Sequence, residues 1–279
     1  MPKDLVVQDN TLINASYSLS LTEQRIILAA IAKAQKSGLE ISHSEYLTIH
    51  ALDFAETFNL DKKTVYRDLK KACDTLFRRE FSFKDGKGVV RSHWLQSSKY
   101  QEDSGQIKIL FAMELIPFIS QLKKRFTSYF LADVANMTSV YAIRLYELII
   151  AWRTTHKTPV FDLSDFRNKL GVKPDEYPDM HNFKKRVLNI AIEQINTLSN
   201  IKIELVQHRK GRKIIGFSFT FTEVAPERDP KTIDWVDEDK KPKREKMTIN
   251  DIVMRHPTET IGKREPEIYK MYSSIYHII

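Results

Sequence analysis

The sequence predicts an α+β protein made of two tandem winged-helix domains, related by an internal pseudo-repeat and followed by a charged C-terminal tail. The first observation is that an amphipathic helix pattern gives way to two strand patterns within 182–221. The second is that one order of elements occurs twice: a long helix, a short strand, a short helix, a basic-faced helix and a hairpin. The third is that the chain becomes charged and poor in apolar residues after Glu223.

The first half contains the elements of one winged helix. Residues 1–19 are predicted to be an extended lead-in, and the helix over 20–36 begins at a capping box of Ser20 and Glu23 and ends at Gly38. A strand at 47–49, a helix at 51–59 and a longer helix over 62–79 capped by Asp61 come next. Strand patterns at 81–84, 89–96 and 106–111 follow, and a Gly-containing turn at 85–88 joins the first two.

The second half repeats this plan with a longer hairpin. A strong helix over 140–153, opened by Thr138 or Ser139, is predicted to place Trp152 in the core. A strand at 159–163 and a helix over 164–171 lead to the helix that begins at Asn182. On a helical wheel, the side of that helix expected to pack consists of Phe183, Val187, Ile190, Ala191, Ile195 and Leu198. The hairpin strands have period two, with Ile201, Ile203 and Leu205 in one and Phe217, Phe219 and Phe221 in the other.

Matching the two halves by pattern gives the domain organisation. Residues 51–59 correspond to 164–170, 65–78 to 183–196, and 81–83 to 199–201. The predicted domains are an N-terminal winged helix over 1–131, a C-terminal winged helix over 132–225, and a linker and tail over 226–279. In this last region, 228–246 is predicted to be a linker, and short helices are predicted near 249–255 and 267–279.

The composition indicates a basic protein of a reducing compartment. The 279 residues carry a net charge of +8, which favours a polyanion such as double-stranded DNA as a partner. The single cysteine, Cys73, falls on a helix core pattern and permits neither an intrachain disulfide nor a thiolate metal cluster. The sequence has no secretory signal pattern and no window of 18 apolar residues, so we expect a cytoplasmic, nucleoid- or plasmid-associated protein without a membrane contact.

The sequence contains no motif of a catalytic or cofactor site. It has no GxxxxGK[ST] phosphate loop, no GxGxxG, no GxSxG and no HExxH. Enzymes that nick DNA to start rolling-circle replication hold a metal with a closely spaced His pair, whereas His181 stands alone here. We therefore expect no catalytic residues, no metal and no cofactor.

Basic and amide side chains form three candidate DNA-binding surfaces. The recognition-helix candidates are Asn182, Lys184, Lys185, Arg186 and Asn189. The wing candidates, at the hairpin tip, are Arg209, Lys210, Arg212 and Lys213. The first-domain candidates for backbone contact are Lys63, Arg67, Lys70, Lys71 and Arg78. For each surface the alternative is a solvated polar face that binds nothing.

Three segments resemble the iteron-binding plasmid replication initiators, the Rep superfamily that starts theta-mode replication. The segment SVYAIRLYEL at 139–148 resembles the helix that joins the two domains of that family. LTEQRIILAAIA at 21–32 resembles the opening helix, and FKKRVLNIAIEQIN at 183–196 resembles the second recognition helix. The resemblance covers roughly residues 5–222, and the tail lies outside it.

The resemblance implies a division of labour between the two winged helices. The first would serve dimerisation in a repressing form and contact the DNA backbone in the initiating form. The second would read an iteron in the major groove. The resemblance also implies that a homodimer is in equilibrium with a monomer, that dimers repress the initiator's own promoter, and that the host replication initiator and helicase are recruited.

Three other functions remain open from the residues alone. A winged-helix transcription regulator without an initiating role needs the same reading helix. A DNA-nicking enzyme and a basic interaction protein without specific DNA binding are the further alternatives. The positions of the binding sites distinguish the first alternative, because tandem direct repeats beside an AT-rich tract indicate an initiator and one inverted repeat over a promoter indicates a repressor.

Overall fold

The computed structural model describes residues 4–38, 40–86, 88–120, 125–224, 246–256, 262–272 and 277–278. The chain divides into two compact units, Met1–Pro226 and Glu227–Ile279. The first unit contains both predicted winged helices. Most of the predicted linker over 228–246 lies outside the described residues.

The N-terminal segment is more structured than the predicted extended lead-in. Strand β1 (Leu5–Asp9) pairs antiparallel with β7 (Phe126–Phe130), and the short helix α1 (Asn10–Ile13) follows it. The Asp9 carboxylate accepts a 2.6 Å hydrogen bond from the Thr11 N–H and so caps α1. The sequence signal was weak because one turn of helix is too short to show a period.

The first winged helix has the predicted elements. They are α2 (Leu21–Ser37), β2 (Leu47–His50), α3 (Ala51–Phe58), α4 (Val65–Leu76), β5 (Leu95–Gln101) and β6 (Gln106–Phe111). The three strands form one sheet in the order β2-β6-β5. The capping box of Ser20 and Glu23 and the left-handed Gly38 that ends α2 are both confirmed. The prediction that Asp61 caps α4 is wrong. The Asp61 carboxylate accepts a hydrogen bond from the Lys63 N–H in the turn before the helix, and Thr64 is the N-cap residue.

A second hairpin separates α4 from the wing strands. It consists of β3 (Glu80–Asp85) and β4 (Gly88–His93), which form a sheet of their own. The predicted strand over 89–96 is therefore two strands that meet at Trp94. The prediction that 81–83 corresponds to 199–201 is wrong, because β5 and not β3 occupies the wing position in the sheet.

The second winged helix repeats the strand order of the first. It is preceded by a 3-10 turn (Met113–Leu115) and the helices α5 (Ile116–Ile119), α6 (Ala132–Ala135) and α7 (Val140–Ile150). Its own elements are β8 (Phe161–Asp162), α8 (Leu163–Lys169), a helical segment over 180–198, β9 (Ile201–Lys210) and β10 (Lys213–Glu223). The sheet order β8-β10-β9 matches β2-β6-β5, so the internal repeat is confirmed. Gly216 is needed where β8 meets β10, because a Cβ there would lie 2.3 Å from the Phe161 carbonyl oxygen.

A buried polar network centred on α7 connects elements of both winged helices. Arg144 on α7, 1% exposed, forms an ion pair with Glu147 at 2.6 Å. Its guanidinium also donates to the carbonyl oxygens of Ile13, Ala15 and Lys169. Glu147 accepts a 2.8 Å hydrogen bond from the Tyr129 hydroxyl. The RLYEL sequence thus joins the N-terminal segment, β7, α7 and the end of α8 through one satisfied cluster.

The aromatic side chains of Trp94, Trp152, Phe217, Phe219 and Phe221 fall on helix and strand core patterns, which predict that they are buried. Trp94, Phe217, Phe219 and Phe221 are buried, whereas Trp152 is 39% exposed. The prediction for Trp152 is wrong because α7 ends at Ile150, so helical spacing no longer determines where the indole points. Cys73 is buried as predicted, and burial raises the pKa of its thiol to about 12.

The second unit contains short elements with a small apolar cluster of its own. They are β11 (Lys246–Met247), α11 (Ile249–Arg255), α12 (Glu265–Tyr272) and β12 (His277–Ile278). Ile252, Ile268 and Tyr272 form the cluster. The helix predicted near 267–279 is present over Glu265–Tyr272, and 273–276 lie outside the described residues. No helix among the described residues is long and apolar enough to cross a membrane.

Candidate nucleic-acid interface

The helix over 180–198, hereafter the reading helix, begins at a side-chain cap. It consists of α9 (Met180–Phe183), a π turn (Lys184–Leu188) and α10 (Asn189–Leu198). Asp179 accepts hydrogen bonds from the Asn182 N–H at 2.8 Å and from the Asn182 side-chain amide at 2.6 Å. These bonds lower the pKa of the Asp179 carboxyl. Asn182 is thus held at the cap, which restricts the amide predicted to read a base.

The π turn changes which side of the reading helix is buried. Phe183, Val187, Ala191 and Ile195 are buried as predicted. Leu188 is also buried, whereas Ile190 and Leu198, both predicted to pack, are each 39% exposed. A π turn holds more residues per turn than an α-helix, so the residues after it are rotated on the wheel. The predictions for Ile190 and Leu198 are wrong for this reason and, at Leu198, because the helix ends there.

Three of the five recognition-helix candidates share an exposed stripe. Lys185, Arg186 and Asn189 are exposed, and within the described part of the chain their side chains have no ion-pair or hydrogen-bond partner. Lys184 is half-buried and donates a 3.0 Å hydrogen bond to the Gln207 side chain on β9. The structure therefore leaves the charge of Lys185 and Arg186 available and uses Lys184 to join the helix to the wing.

The wing ends in a cluster of exposed cations. Arg209, Lys210, Arg212 and Lys213 are exposed at the turn between β9 and β10. The turn is possible because Gly211 has a φ of +62°, the left-handed region that favours glycine. Among the described residues, no carboxylate lies within ion-pair distance of these four side chains. Their positive charges repel one another and favour an anionic partner.

Two amides that the sequence analysis did not single out hold the reading helix in place. The Gln194 side-chain oxygen accepts hydrogen bonds from the Thr138 and Ser139 N–H groups, at 2.9 and 3.0 Å, at the start of α7. Asn196 exchanges two hydrogen bonds with the backbone of Ile203 on β9. No sequence signal distinguishes these amides from other polar positions on the exposed side of an amphipathic helix.

The first-domain candidates lie on or beside α4 and are partly neutralised. Arg67 pairs with Asp68 at 3.1 Å, and Lys70 pairs with Glu102 at 2.7 Å. Lys63, Lys71 and Arg78 are exposed, and no described carboxylate forms an ion pair with them. Glu102 belongs to the turn between β5 and β6, so the tip of the first wing carries an acidic residue and binds its own helix.

The described residues show no arrangement for metal chemistry. No group of three or more His, Cys, Asp or Glu side chains within them could hold a metal ion. The candidate surfaces consist of exposed cations and amides on a helix and a hairpin. Such groups bind phosphates and base edges by charge and hydrogen bonding.

Each of the two winged helices matches a known family model. The family model described as "Initiator Replication protein, WH1" matches residues 5–150, and the model described as "Initiator Rep protein, WH2" matches residues 162–221. The chain belongs to the initiator replication protein family. Residues 151–161 separate the two matches, and the WH1 match includes α7.

Individual initiator proteins show the same relationship. The chain is 26% identical over 219 residues to a replication initiation protein of Escherichia coli, covering 76% of this chain and 67% of that protein. It is 24% identical over 246 residues to the PI protein of E. coli, covering 76% of this chain and 80% of that protein. A crystal structure of the Pi initiator protein in complex with iteron DNA matches with a TM-score of 0.66 at 23% identity, over 80% of this chain and 98% of that one. The last match shows the fold of this initiator.

Proposed function

We propose that this initiator binds repeated sites in its origin DNA, the iterons, in a sequence-specific manner and helps to open the origin. The observation that carries the proposal is the exposed stripe of Lys185, Arg186 and Asn189 beside a cationic wing, on a chain of the initiator family. The shared fold with the initiator–iteron DNA complex supports the same mode of binding. The second winged helix is the proposed reader, and the wing holds phosphates or the minor groove.

The proposed roles of the helix residues follow from their donors. Arg186 is suited to a bidentate contact with guanine, and Asn189 to one with adenine. Lys185 is suited to guanine or a phosphate. Asn182 and Lys184 support the helix from its cap and from the wing, with their remaining donors near the DNA backbone. Arg209, Lys210, Arg212 and Lys213 bind phosphates without sequence preference.

The first winged helix is proposed to contact the DNA backbone and to form the dimer. Lys63, Lys71 and Arg78 supply the backbone contacts. Dimerisation is supported by β4, which among the described strands pairs only with β3, and which leaves Val89 67% exposed. A free strand edge of this kind can pair with the same edge of a second copy. We retain 1–131, 132–225 and 226–279 as the proposed domains.

Origin opening is proposed to result from several copies acting on adjacent sites. Two helices that contact one face of a duplex lie about 10 base pairs apart, so one initiator covers a site of roughly 20 base pairs. Bending each site costs about 1–6 kcal/mol, which the contacts of the bound copy offset, and the accumulated bending strains a neighbouring AT-rich segment. We propose that a homodimer in equilibrium with the monomer represses the initiator's own promoter, and that the host initiator and helicase are recruited on the plasmid.

The deciding experiment is selection of bound duplexes from a random DNA pool at about 150 mM salt, where non-specific phosphate binding is weak. The expected result is an enriched motif read by the second winged helix, within a bound site of roughly 20 base pairs in which the first winged helix contacts the backbone about one helical turn away. Tandem copies of this motif beside an AT-rich tract would support an initiator. One inverted copy over a promoter would support a transcription regulator instead, and no enriched motif would contradict specific reading.

The initiator is proposed to act without a catalytic centre. Incubation of supercoiled DNA with the protein and a divalent metal tests this directly. We expect no relaxed product and no covalent protein–DNA adduct. An adduct would show that the protein is a nicking enzyme.

A further inference from the structure

Ile190 is an exposed apolar side chain next to the exposed stripe of Lys185, Arg186 and Asn189 on the reading helix. It is 39% exposed and follows Asn189, which is exposed as well. Arg186 lies four residues before it, and side chains at that spacing are neighbours on a helix surface. Ile190 therefore lies among the residues proposed to enter the major groove.

The π turn is what brings Ile190 to this position. A regular α-helix would place Ile190 at the edge of the packed side, next to Val187 and Ala191. The wider turn over Lys184–Leu188 lets Leu188 into the core and rotates Ile190 outwards. Single π turns inside α-helices are rare and are frequently found at functional sites.

The major groove offers one apolar group to such a side chain. Base edges there present hydrogen-bond donors and acceptors, together with the C5-methyl group of thymine. Arginine and asparagine cannot detect that methyl group by hydrogen bonding. A β-branched side chain in a helix holds one preferred rotamer, so little entropy is lost when it makes an apolar contact.

We propose, on the basis of the proposed function, that Ile190 is a specificity-determining residue that contacts the C5-methyl group of a thymine in the bound site. The contact lies beside the bases that Arg186 and Asn189 read. It distinguishes thymine from cytosine at a position where hydrogen bonding from the helix does not.

The test replaces each thymine of the selected duplex by uracil, one position at a time, which removes only the methyl group. Binding of the full-length protein is measured by competition. Wild-type protein should lose about three- to five-fold in affinity at one position, as expected for one buried methyl group. The variant Ile190→Ala should bind the thymine and uracil duplexes equally at that position, and Ile190→Val should keep part of the difference.

The matched control is Leu198→Ala, because Leu198 is equally exposed on the same helix but lies at its C-terminal end. This variant should keep the wild-type response to uracil. A wild-type protein that binds its site but responds to uracil nowhere would overturn the inference alone. The same applies if Ile190→Ala keeps the full response. A wild-type protein with no preferred site would overturn the proposed function as well.

Discussion

The two winged helices share one strand order but differ in the charge that they present. In the first, Lys70 of α4 forms an ion pair with Glu102 at the tip of its own wing. In the second, Lys184 of the reading helix binds the neutral Gln207 of its wing, and the wing tip carries four cations. Both domains thus join helix to wing through a lysine. The first wing tip therefore neutralises a cation of its own helix, whereas the four cations of the second wing tip form no ion pair with a described carboxylate.

This comparison shows that two domains with the same strand order can present different surface charge. Asp68 and Asp74 lie on α4 and engage Arg67 and Tyr100, whereas the reading helix contains one acidic residue, Glu193. The fold places a helix and a hairpin side by side. The side chains at their exposed positions then decide whether that surface attracts a polyanion.

The largest expected effect is the loss of stability in Arg144→Ala. The comparison assumes that the buried Arg144–Glu147 network holds both domains together. The substitution leaves the Glu147 carboxylate buried without its cation and removes the donor from the Ile13, Ala15 and Lys169 carbonyls. We expect a loss of about 3–5 kcal/mol in the free energy of unfolding, measured by denaturant titration.

Arg67→Ala is the control for that variant, since it removes an exposed ion pair and should change stability by less than about 1 kcal/mol. Equal stability of the Arg144→Ala variant and the wild-type protein would show that the network does not support the two domains.

The next largest effect concerns base reading by the second domain. Arg186→Ala should lose about 1–3 kcal/mol of binding free energy on the selected site and little on random DNA. Competition binding with both duplexes measures the difference. An equal loss on selected and random DNA would contradict the role of Arg186 as a base reader. Arg67→Ala should leave the preference for the selected site unchanged, because Asp68 already engages that guanidinium.

A smaller effect is expected at the tip of the second wing. Lys210→Ala should weaken binding to all duplexes by a similar factor. It should also reduce the slope of log affinity against log salt concentration by about the value for one phosphate contact. Salt titration of both the selected and a random duplex measures this. A loss confined to the selected duplex would instead assign Lys210 to base reading.

The smallest expected effect is on DNA affinity and concerns Glu102, at the wing tip of the first domain. Glu102→Gln removes the carboxylate that engages Lys70. We expect a modest increase in affinity for any DNA. The slope of log affinity against log salt concentration should become steeper by up to about the value for one phosphate contact. Ser104→Ala in the same turn is the matched control and should change neither quantity. If Glu102→Gln leaves affinity and slope unchanged, α4 does not lie near DNA.

Local interactions explain why the sequence was sufficient for much of the fold. The capping box at Ser20 and Glu23 joins residues three apart, and the alternation in β9 and β10 joins residues two apart, so both are visible in the sequence itself. The order of elements then predicted two winged helices. The same local pattern could not show that β3 and β4 form a separate hairpin, since strand partners are chosen across the chain.

The sequence by itself determined the main helices and strands of both domains, the internal repeat and the positions of the cationic segments. Only the tertiary structure decided which of those cations are available and which side of the reading helix is exposed. Lys70 finds its carboxylate 32 residues away, and Ile190 is exposed because a π turn lets Leu188 pack instead. Both outcomes depend on contacts between distant segments, which a period of two or 3.6 residues does not encode.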